Sequence, residues 1–333
     1  MVKFLIIRLS SIGDIVLTTP VVRCLKNQVE HAEIHYLTKE QYQGIPGSNP
    51  YVDKVWIYRN NMKELLKNLE RENFDYIIDL HHNIRSLRIK NKLRKISFSF
   101  DKLNLQKWLI VNLKINKLPD IHIVDRYLDT VKIFDVKNDG KGLDYFITEE
   151  NKVPENTILS EIPEKFILLA IGEQHETKKA SAEKLAEICD LVDFPVVICG
   201  GKDDLSLSES IISKLVQNRN VLNTTGKLSL NQSARLVQRA SLVITHDTGI
   251  MHIAAAFKKI ILSIWGNTIP EFGMYPYLAD PLSRIFEVNG LKCRPCSKIG
   301  HTTCPKKHFK CMNKQNSSAI ASYAREILLT SKP

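Results

Sequence analysis

The chain has 333 residues, of which 44% are hydrophobic, and carries a formal charge of +11. This length exceeds what one hydrophobic core usually organises, so we expect two domains. The charge indicates an anionic partner without selecting phosphorylated lipid, nucleic acid or a generally basic surface. No apolar run reaches the ~20 residues that span a bilayer, and the apolar start is too short for a signal peptide, so we expect any membrane contact to be peripheral.

Short apolar strands alternate with helical stretches in the first half, which predicts a parallel sheet with crossover helices. The predicted strands are 3–8, 33–37 and 76–80, and the predicted helices are 14–27 and 63–72. Basic residues are dense from Arg85 to Lys117 and are interleaved with apolar side chains such as Trp108. They indicate either solvated helix faces or a patch that faces an anionic acceptor or membrane. No nucleic-acid motif accompanies them, so we expect no nucleic-acid partner.

A polar, proline-containing stretch from Thr148 to Glu164 is typical of an interdomain linker. A second alternating series follows, with strands at 166–171, 195–199, 242–245 and 260–265, helices at 182–191 and 232–239, and a closing amphipathic helix at 317–329. We therefore predict two doubly wound α/β domains, 1–155 and 165–315, followed by a helix and tail at 316–333. In such sheets ligands bind at the carboxyl ends of strands.

The first strand runs directly into a small polar turn and a helix, Ser10-Ser11-Ile12-Gly13-Asp14. Gly13 permits a tight turn, and Asp14 falls in the first helical turn. Asp14 is either a helix cap or a general base, because the helix N-terminus keeps a carboxylate ionised and able to accept a proton from a hydroxyl.

A similar strand, turn and helix occur at residues 244–256. The backbone N–H groups from Thr248 onward, with the Thr248 hydroxyl, predict an anion site that suits a diphosphate. His252 lies one helical turn later and either reaches the ligand or is a structural histidine. At two further strand ends, Lys178 can neutralise diphosphate charge, and Gly200 and Gly201 can let a loop approach a nucleotide.

Together these stretches resemble the family 9 glycosyltransferases, the ADP-heptose:lipopolysaccharide heptosyltransferases, over nearly the whole chain. Ser-Ser-Ile-Gly-Asp at 10–14 and His-Asp-Thr-Gly-Ile-Met-His at 246–252 carry the resemblance. It implies a GT-B fold, in which two Rossmann-like domains face each other across a cleft. The first domain would bind the acceptor and the second the donor.

The resemblance also implies residue roles. Asp14 would be the general base, Lys178 and the turn Asp247-Thr248-Gly249 would hold the donor diphosphate, and His252 would support that site. The complete set of implied substrate-binding residues is Ser10, Ser11, Gly13, Lys178, Gly200, Gly201, Asp247, Thr248, Gly249, His252 and Asn267. The chain departs from the family pattern beside this pocket, at Ile171-Gly172-Glu173 and at Lys179-Ala180-Ser181.

The implied reaction is inverting transfer of heptose from ADP-heptose to the inner core or lipid A part of lipopolysaccharide. The enzyme would be cytoplasmic, with peripheral contact at the inner face of the cytoplasmic membrane. No Asp-x-Asp tripeptide occurs, so we expect the leaving diphosphate to be stabilised without a catalytic metal or other cofactor.

Four cysteines lie close together in sequence, Cys293, Cys296, Cys304 and Cys311, with His301 and His308 between them. Structural zinc, reduced unligated thiols and a disulfide or redox role all remain open. We expect the other three cysteines to be core residues: Cys24, Cys189 and Cys199.

Other functions predict different patterns. A nicotinamide oxidoreductase requires Gly-x-Gly-x-x-Gly after the first strand, which is missing here. A noncatalytic nucleotide-sugar or polyanion binding protein would tolerate loss of Asp14. A GT-B sugar epimerase would need no acceptor.

Overall fold

The computed structural model describes residues 1–148, 161–217 and 220–330. The chain forms two compact units. Unit 1 comprises Met1–Leu103 and Asp120–Phe146, and unit 2 comprises Asn104–Pro119 and Ile147–Pro333. Residues 104–119 thus pack with unit 2, whereas the sequence prediction placed all of 1–155 in one domain. The predicted linker 148–164 lies mostly outside the described residues.

Unit 1 is built on a five-stranded parallel sheet in the order β3-β2-β1-β4-β5. Its strands are β1 (Val2–Ile7), β2 (Ala32–Lys39), β3 (Lys54–Tyr58), β4 (Tyr76–Asp79) and β5 (Ile96–Ser99). The helices of the first half are α1 (Ile12–Val16), α2 (Thr19–Gln28), α3 (Gly44–Gly47), α4 (Met62–Arg71), α5 (Ile84–Leu93), α6 (Asn104–Leu113, in unit 2) and α7 (Ile123–Leu128). Short 3-10 helices span Glu40–Tyr42 and Asp129–Phe134.

The single helix predicted at 14–27 is wrong, because two helices, α1 and α2, occupy this stretch. Pro20 has no N–H to donate to the Val16 carbonyl, so the helical ladder is interrupted there. The Thr19 Oγ1 donates to the Val16 carbonyl at 2.7 Å in place of the missing N–H. The Ile15 carbonyl accepts both the N–H and the Oγ1 of Thr18, at 3.0 and 2.7 Å.

Unit 2 is built on a six-stranded parallel sheet in the order β8-β7-β6-β9-β10-β11. Its strands are β6 (Ile167–Ala170), β7 (Val196–Cys199), β8 (Val221–Asn223), β9 (Leu242–His246), β10 (Ile261–Trp265) and β11 (Arg284–Glu287). Its remaining helices are α8 (Ala182–Val192), α9 (Leu205–Ser213), α10 (Leu230–Arg239), α11 (Gly249–Ala256), α12 (Lys310–Asn313) and α13 (Ser317–Thr330), with 3-10 turns at Glu176–Lys178, Lys202–Asp204 and Pro270–Phe272.

The central strands β6, β7, β9 and β10 are buried along their whole length. Such burial is expected for parallel strands with helices on both faces. The strand order of unit 2 is the dinucleotide-fold order, and unit 1 lacks only its last strand. In both sheets the order reverses beside the first strand, between β1 and β4 and between β6 and β9, and ligands bind at this reversal point.

Within the described ranges, no helix combines the length and apolar character needed to cross a membrane.

Candidate active site

In unit 1, the polar turn after β1 surrounds the Asp14 carboxylate with donors. Arg8 Nη2 lies 2.7 Å from Asp14 Oδ1, while the Ser11 N–H and Oγ donate to Oδ2 at 3.0 and 2.9 Å. Asp14 therefore caps the start of α1 and is also held by a cation. Ser10 and Gly13 complete the same turn, so the structure brings together all four residues predicted here.

The charge state of Asp14 follows from these contacts. Burial raises its pKa, but the positive charge of Arg8 and the hydrogen bonds from Ser11 and Arg8 outweigh burial, so the pKa lies below the ordinary value. Asp14 is therefore ionised at neutral pH, which is the state that a general base requires.

Arg8, which the sequence analysis did not single out, organises this end of the sheet. Its guanidinium donates to the carbonyls of Ser10 and Leu80 at 2.8 and 2.5 Å and to the Tyr127 hydroxyl at 2.9 Å. It thus joins the turn after β1 to the end of β4. Its position directly after a buried strand was the only sequence signal for this role.

His81 follows β4 at the same reversal point and was also missed. Burial lowers its pKa to about 4, with further lowering from the charges of Arg8 and Lys102. The imidazole is neutral at physiological pH and offers one hydrogen-bond donor and one acceptor near Asp14.

In unit 2, Lys178 and Asp247 meet across the reversal point, because they follow the neighbouring strands β6 and β9. Lys178 Nζ lies 2.7 Å from Asp247 Oδ2 and donates to the Asp247 carbonyl at 3.2 Å. Thr268 Oγ1 donates to Asp247 Oδ2 at 2.9 Å. Both charged side chains are largely buried, at 13% and 11% exposure, so the pair interacts in a medium of reduced dielectric.

Helix α11 begins beside this pair. Thr248 is the residue that precedes its first turn, and its Oγ1 lies 3.3 Å from Thr245 Oγ1. The N–H groups that start at Gly249 have no partner within the helix, so they supply a partial positive charge. His252 lies one turn further and is 3% exposed.

Asn267 follows β10 and is 1% exposed, yet neither Oδ1 nor Nδ2 of its amide hydrogen-bonds within the described part of the chain. An unsatisfied buried amide costs about 1–3 kcal/mol. Such a group is therefore suited to contact a polar ligand.

Gly200 and Gly201 follow β7, the neighbour of β6. A Cβ on Gly200 would lie 3.0 Å from Asp204 Cβ and 3.1 Å from Ile171 Cγ1, and the Gly201 N–H donates to Asp204 Oδ2 at 2.9 Å. These glycines allow the loop to pack closely on Asp204. Their predicted contact with a nucleotide stays a prediction.

His246 and Arg294 position the loops after β6 and β10, and neither was predicted. His246 Nε2 accepts the Ala180 N–H at 3.0 Å, and burial lowers the His246 pKa to about 4, so the ring remains an acceptor. Arg294 donates to the carbonyls of Gly266 and Thr268, each at 2.7 Å, and to Glu287 at 2.6 Å. It therefore fixes both sides of Asn267.

Glu173 marks a departure from the family pattern at the end of β6. Burial raises the pKa of its carboxyl group, the charge of Lys178 opposes this rise, and that of Asp247 adds to it. The single positive charge of Lys178 thus acts on two carboxyl groups, those of Asp247 and Glu173.

The cysteine-rich segment lies against the loop that carries Lys178. The His301 N–H donates to Thr177 Oγ1 at 2.8 Å, and the Thr177 N–H donates to the His301 carbonyl at 3.2 Å. Burial and then neighbouring thiols raise the pKa of Cys296 and bring that of Cys311 to about 11. All seven cysteines are free thiols, and in residues 1–148, 161–217 and 220–330 no three histidine, cysteine or acidic side chains are placed to hold a metal ion. The prediction that Cys24, Cys189 and Cys199 are buried is confirmed.

Comparisons with known proteins identify the family and the fold of the chain. The profile of glycosyltransferase family 9 (heptosyltransferase) matches residues 62–310. Lipopolysaccharide heptosyltransferase 1 of Campylobacter coli is 26% identical over 291 residues, which cover 80% of this chain and 84% of the relative.

Two solved structures share the fold over nearly their whole length. A family 9 glycosyltransferase from Veillonella parvula DSM 2008 has a TM-score of 0.76 at 22% identity and covers 99% of this chain and 97% of its own. The E. coli ADP-heptose lipopolysaccharide heptosyltransferase II has a TM-score of 0.75 at 18% identity, with coverage of 99% and 100%. The chain therefore belongs to glycosyltransferase family 9 and, as the sequence motifs predicted, is a glycosyltransferase of GT-B fold.

Proposed function

We propose that this enzyme moves heptose from ADP-heptose to an inner-core acceptor of lipopolysaccharide with inversion at the anomeric carbon. The observation that carries the donor assignment is the buried Lys178–Asp247 pair beside the start of α11, at the reversal point of a dinucleotide-type sheet. Two of the relatives named above supply the donor and acceptor classes, because both are heptosyltransferases of lipopolysaccharide and one is named for ADP-heptose.

In this proposal Asp14 accepts the proton of an acceptor hydroxyl. The resulting oxygen nucleophile forms a bond to the anomeric carbon while the bond from that carbon to the diphosphate oxygen breaks, and ADP leaves with the electron pair. Lys178 and the N–H groups at the start of α11 stabilise the charge that develops on the diphosphate. Asn267 hydrogen-bonds the donor.

The remaining parts of the proposal concern metals and location. The transfer step needs no catalytic metal, since Lys178 and α11 already supply positive charge. Zinc bound by Cys293, Cys296, Cys304 and Cys311 would be structural, and binding would require these side chains to move from the positions described above. The enzyme works in the cytoplasm, where it contacts the inner membrane peripherally to reach a lipid-linked acceptor.

The test is a transfer assay with ADP-heptose and a deacylated inner-core acceptor, comparing wild type with Asp14→Asn. We expect Asp14→Asn to lower kcat by at least about 100-fold, because general base catalysis contributes about 10²–10⁴. Asp129→Asn is the matched control, since Asp129 is exposed at the start of a 3-10 helix in the same unit. Undiminished transfer by Asp14→Asn would refute the base assignment, and release of an altered sugar without acceptor would indicate an epimerase.

A further inference from the structure

The outer face of α6 and the residues just after it are apolar and exposed. Leu105 is 67% exposed, Trp108 54%, Leu113 53% and Ile115 46%. The opposite face holds the helix on unit 2, where buried Ile110 packs with Ile269 and Phe272. Exposed apolar side chains grouped in this way indicate an interaction site rather than ordinary surface.

A basic turn is joined to this apolar face. Lys114 Nζ donates to the Pro295 carbonyl at 2.6 Å, which ties the end of α6 to the turn that carries exposed Lys292 and Lys298. Ile299 in that turn is 56% exposed. Residues 104–119 and 288–325 contain no aspartate or glutamate, but they contain three and eight lysines and arginines, respectively. The two segments therefore contribute basic side chains and no acidic side chain to this part of unit 2.

We propose that this surface, Leu105, Trp108, Leu113 and Ile115 with Lys292, Lys298 and Ile299, docks on an anionic phospholipid bilayer. Tryptophan and aliphatic side chains enter the boundary between headgroups and acyl chains, and nearby lysines bind anionic headgroups. A second copy of the chain fits less well, because a symmetric pairing would oppose like charges. Docking on the bilayer would bring the enzyme to its lipid-linked acceptor, and only this link to the acceptor rests on the proposed function.

Trp108 provides a direct probe of docking. Of the three tryptophans, Trp265 is 1% exposed, and Trp56 is half-buried and donates to His35 Nδ1 at 3.1 Å. Addition of vesicles that contain phosphatidylglycerol should shift the emission of Trp108 to shorter wavelength and sediment the protein. Phosphatidylcholine vesicles should do neither, and salt should weaken the binding.

Two double variants test whether vesicle binding depends on this surface or on exposed aliphatic side chains in general. Leu105→Ser with Leu113→Ser should lower the vesicle partition coefficient by at least about tenfold, because each leucine loses burial in the bilayer boundary. The matched control is Ile133→Ser with Val216→Ser, which removes two aliphatic side chains that are 70% and 88% exposed elsewhere. The control should bind vesicles like wild type.

Several outcomes would overturn the proposal: equal binding to neutral vesicles, no spectral shift with anionic vesicles, or equal partition of the leucine variant and wild type. A dimer that Leu105→Ser dissociates would reassign the surface to self-association. Transfer to the deacylated acceptor should be unchanged in the leucine variant. If wild type itself fails that assay, the proposed function fails while the vesicle result stands.

Discussion

Arg294 offers a sharp test of how the proposed donor site is supported. Its side chain is 8% exposed, and its guanidinium makes short bonds to the Gly266 carbonyl, the Thr268 carbonyl and the Glu287 carboxylate. Thr268 in turn donates to Asp247. Replacement of Arg294 by lysine keeps the charge but removes the planar fork that reaches three acceptors in different directions.

The expected cost follows from the bonds lost. A lysine ammonium at this position satisfies about one of the three acceptors, and each bond lost costs about 1–1.5 kcal/mol. Arg294→Lys should therefore destabilise unit 2 by about 2–3 kcal/mol. A looser Thr268 should also weaken ADP binding about tenfold, which corresponds to about 1.4 kcal/mol.

Urea unfolding and calorimetric titration with ADP measure the two effects. Arg284→Lys is the matched control, because Arg284 is an exposed arginine of the same sheet that stacks on Phe286 and Tyr323. Titration must be done at a temperature where each variant is fully folded. If Arg294→Lys is destabilised but binds ADP like wild type, the link from Arg294 to the donor site is refuted.

Three further predictions concern pH and metals. Because the pKa of Asp14 is lowered, we expect transfer to be retained down to pH values below the ordinary carboxyl range. Arg8→Gln should move the acid limb of the kcat/KM profile to higher pH. An unmoved limb would contradict the pairing of Arg8 with Asp14. The pKa of His246 falls from 6.5 to about 4 on folding. The unfolded state therefore binds the proton at a higher pH than the folded state does. The free energy of unfolding should decrease as the pH drops below 6.5, by about 3 kcal/mol at pH 4. His246→Gln, which keeps an acceptor for the Ala180 N–H, should lose this dependence in urea unfolding at pH 5 and 7. Dialysis against EDTA should leave the transfer rate unchanged, and a loss of activity that Mg²⁺ restores would contradict metal independence. The zinc content of the undialysed protein should be near one ion per chain if the cysteines hold a structural ion, and near zero if they are free thiols.

Residues next to strand ends were the predictable part of the fold and site. Asp14, Lys178 and Asp247 each come after a continuous apolar run, which indicates a buried parallel strand. Because ligands bind at the carboxyl ends of such strands, local sequence is enough to make these residues candidates for the site. The helix predicted at 14–27 instead forms two helices, because Pro20 has no N–H to continue the helical ladder.

Supports that come from distant sequence were not predictable. Arg294 reaches a turn 26 to 28 residues earlier, and His246 contacts Ala180 across 66 residues. No pattern in the chain specifies which loop a long side chain will reach, because that depends on the order of strands in the sheet. The same limitation applies to α6, whose sequence neighbours lie in unit 1 but which packs on unit 2.

The ion pair at the proposed donor site has a consequence for ligand discrimination. Asp247 acts as an internal counter-ion for Lys178, so an incoming anion competes with a carboxylate that is covalently fixed in place. A ligand with one negative charge gains little from this competition, whereas a diphosphate presents enough charge to engage the lysine and the start of α11 together. The site therefore favours the more highly charged ligand, and we expect it to separate a nucleoside diphosphate from the corresponding monophosphate, which carries about −1.5 to −2 at pH 7, more strongly than an isolated lysine would.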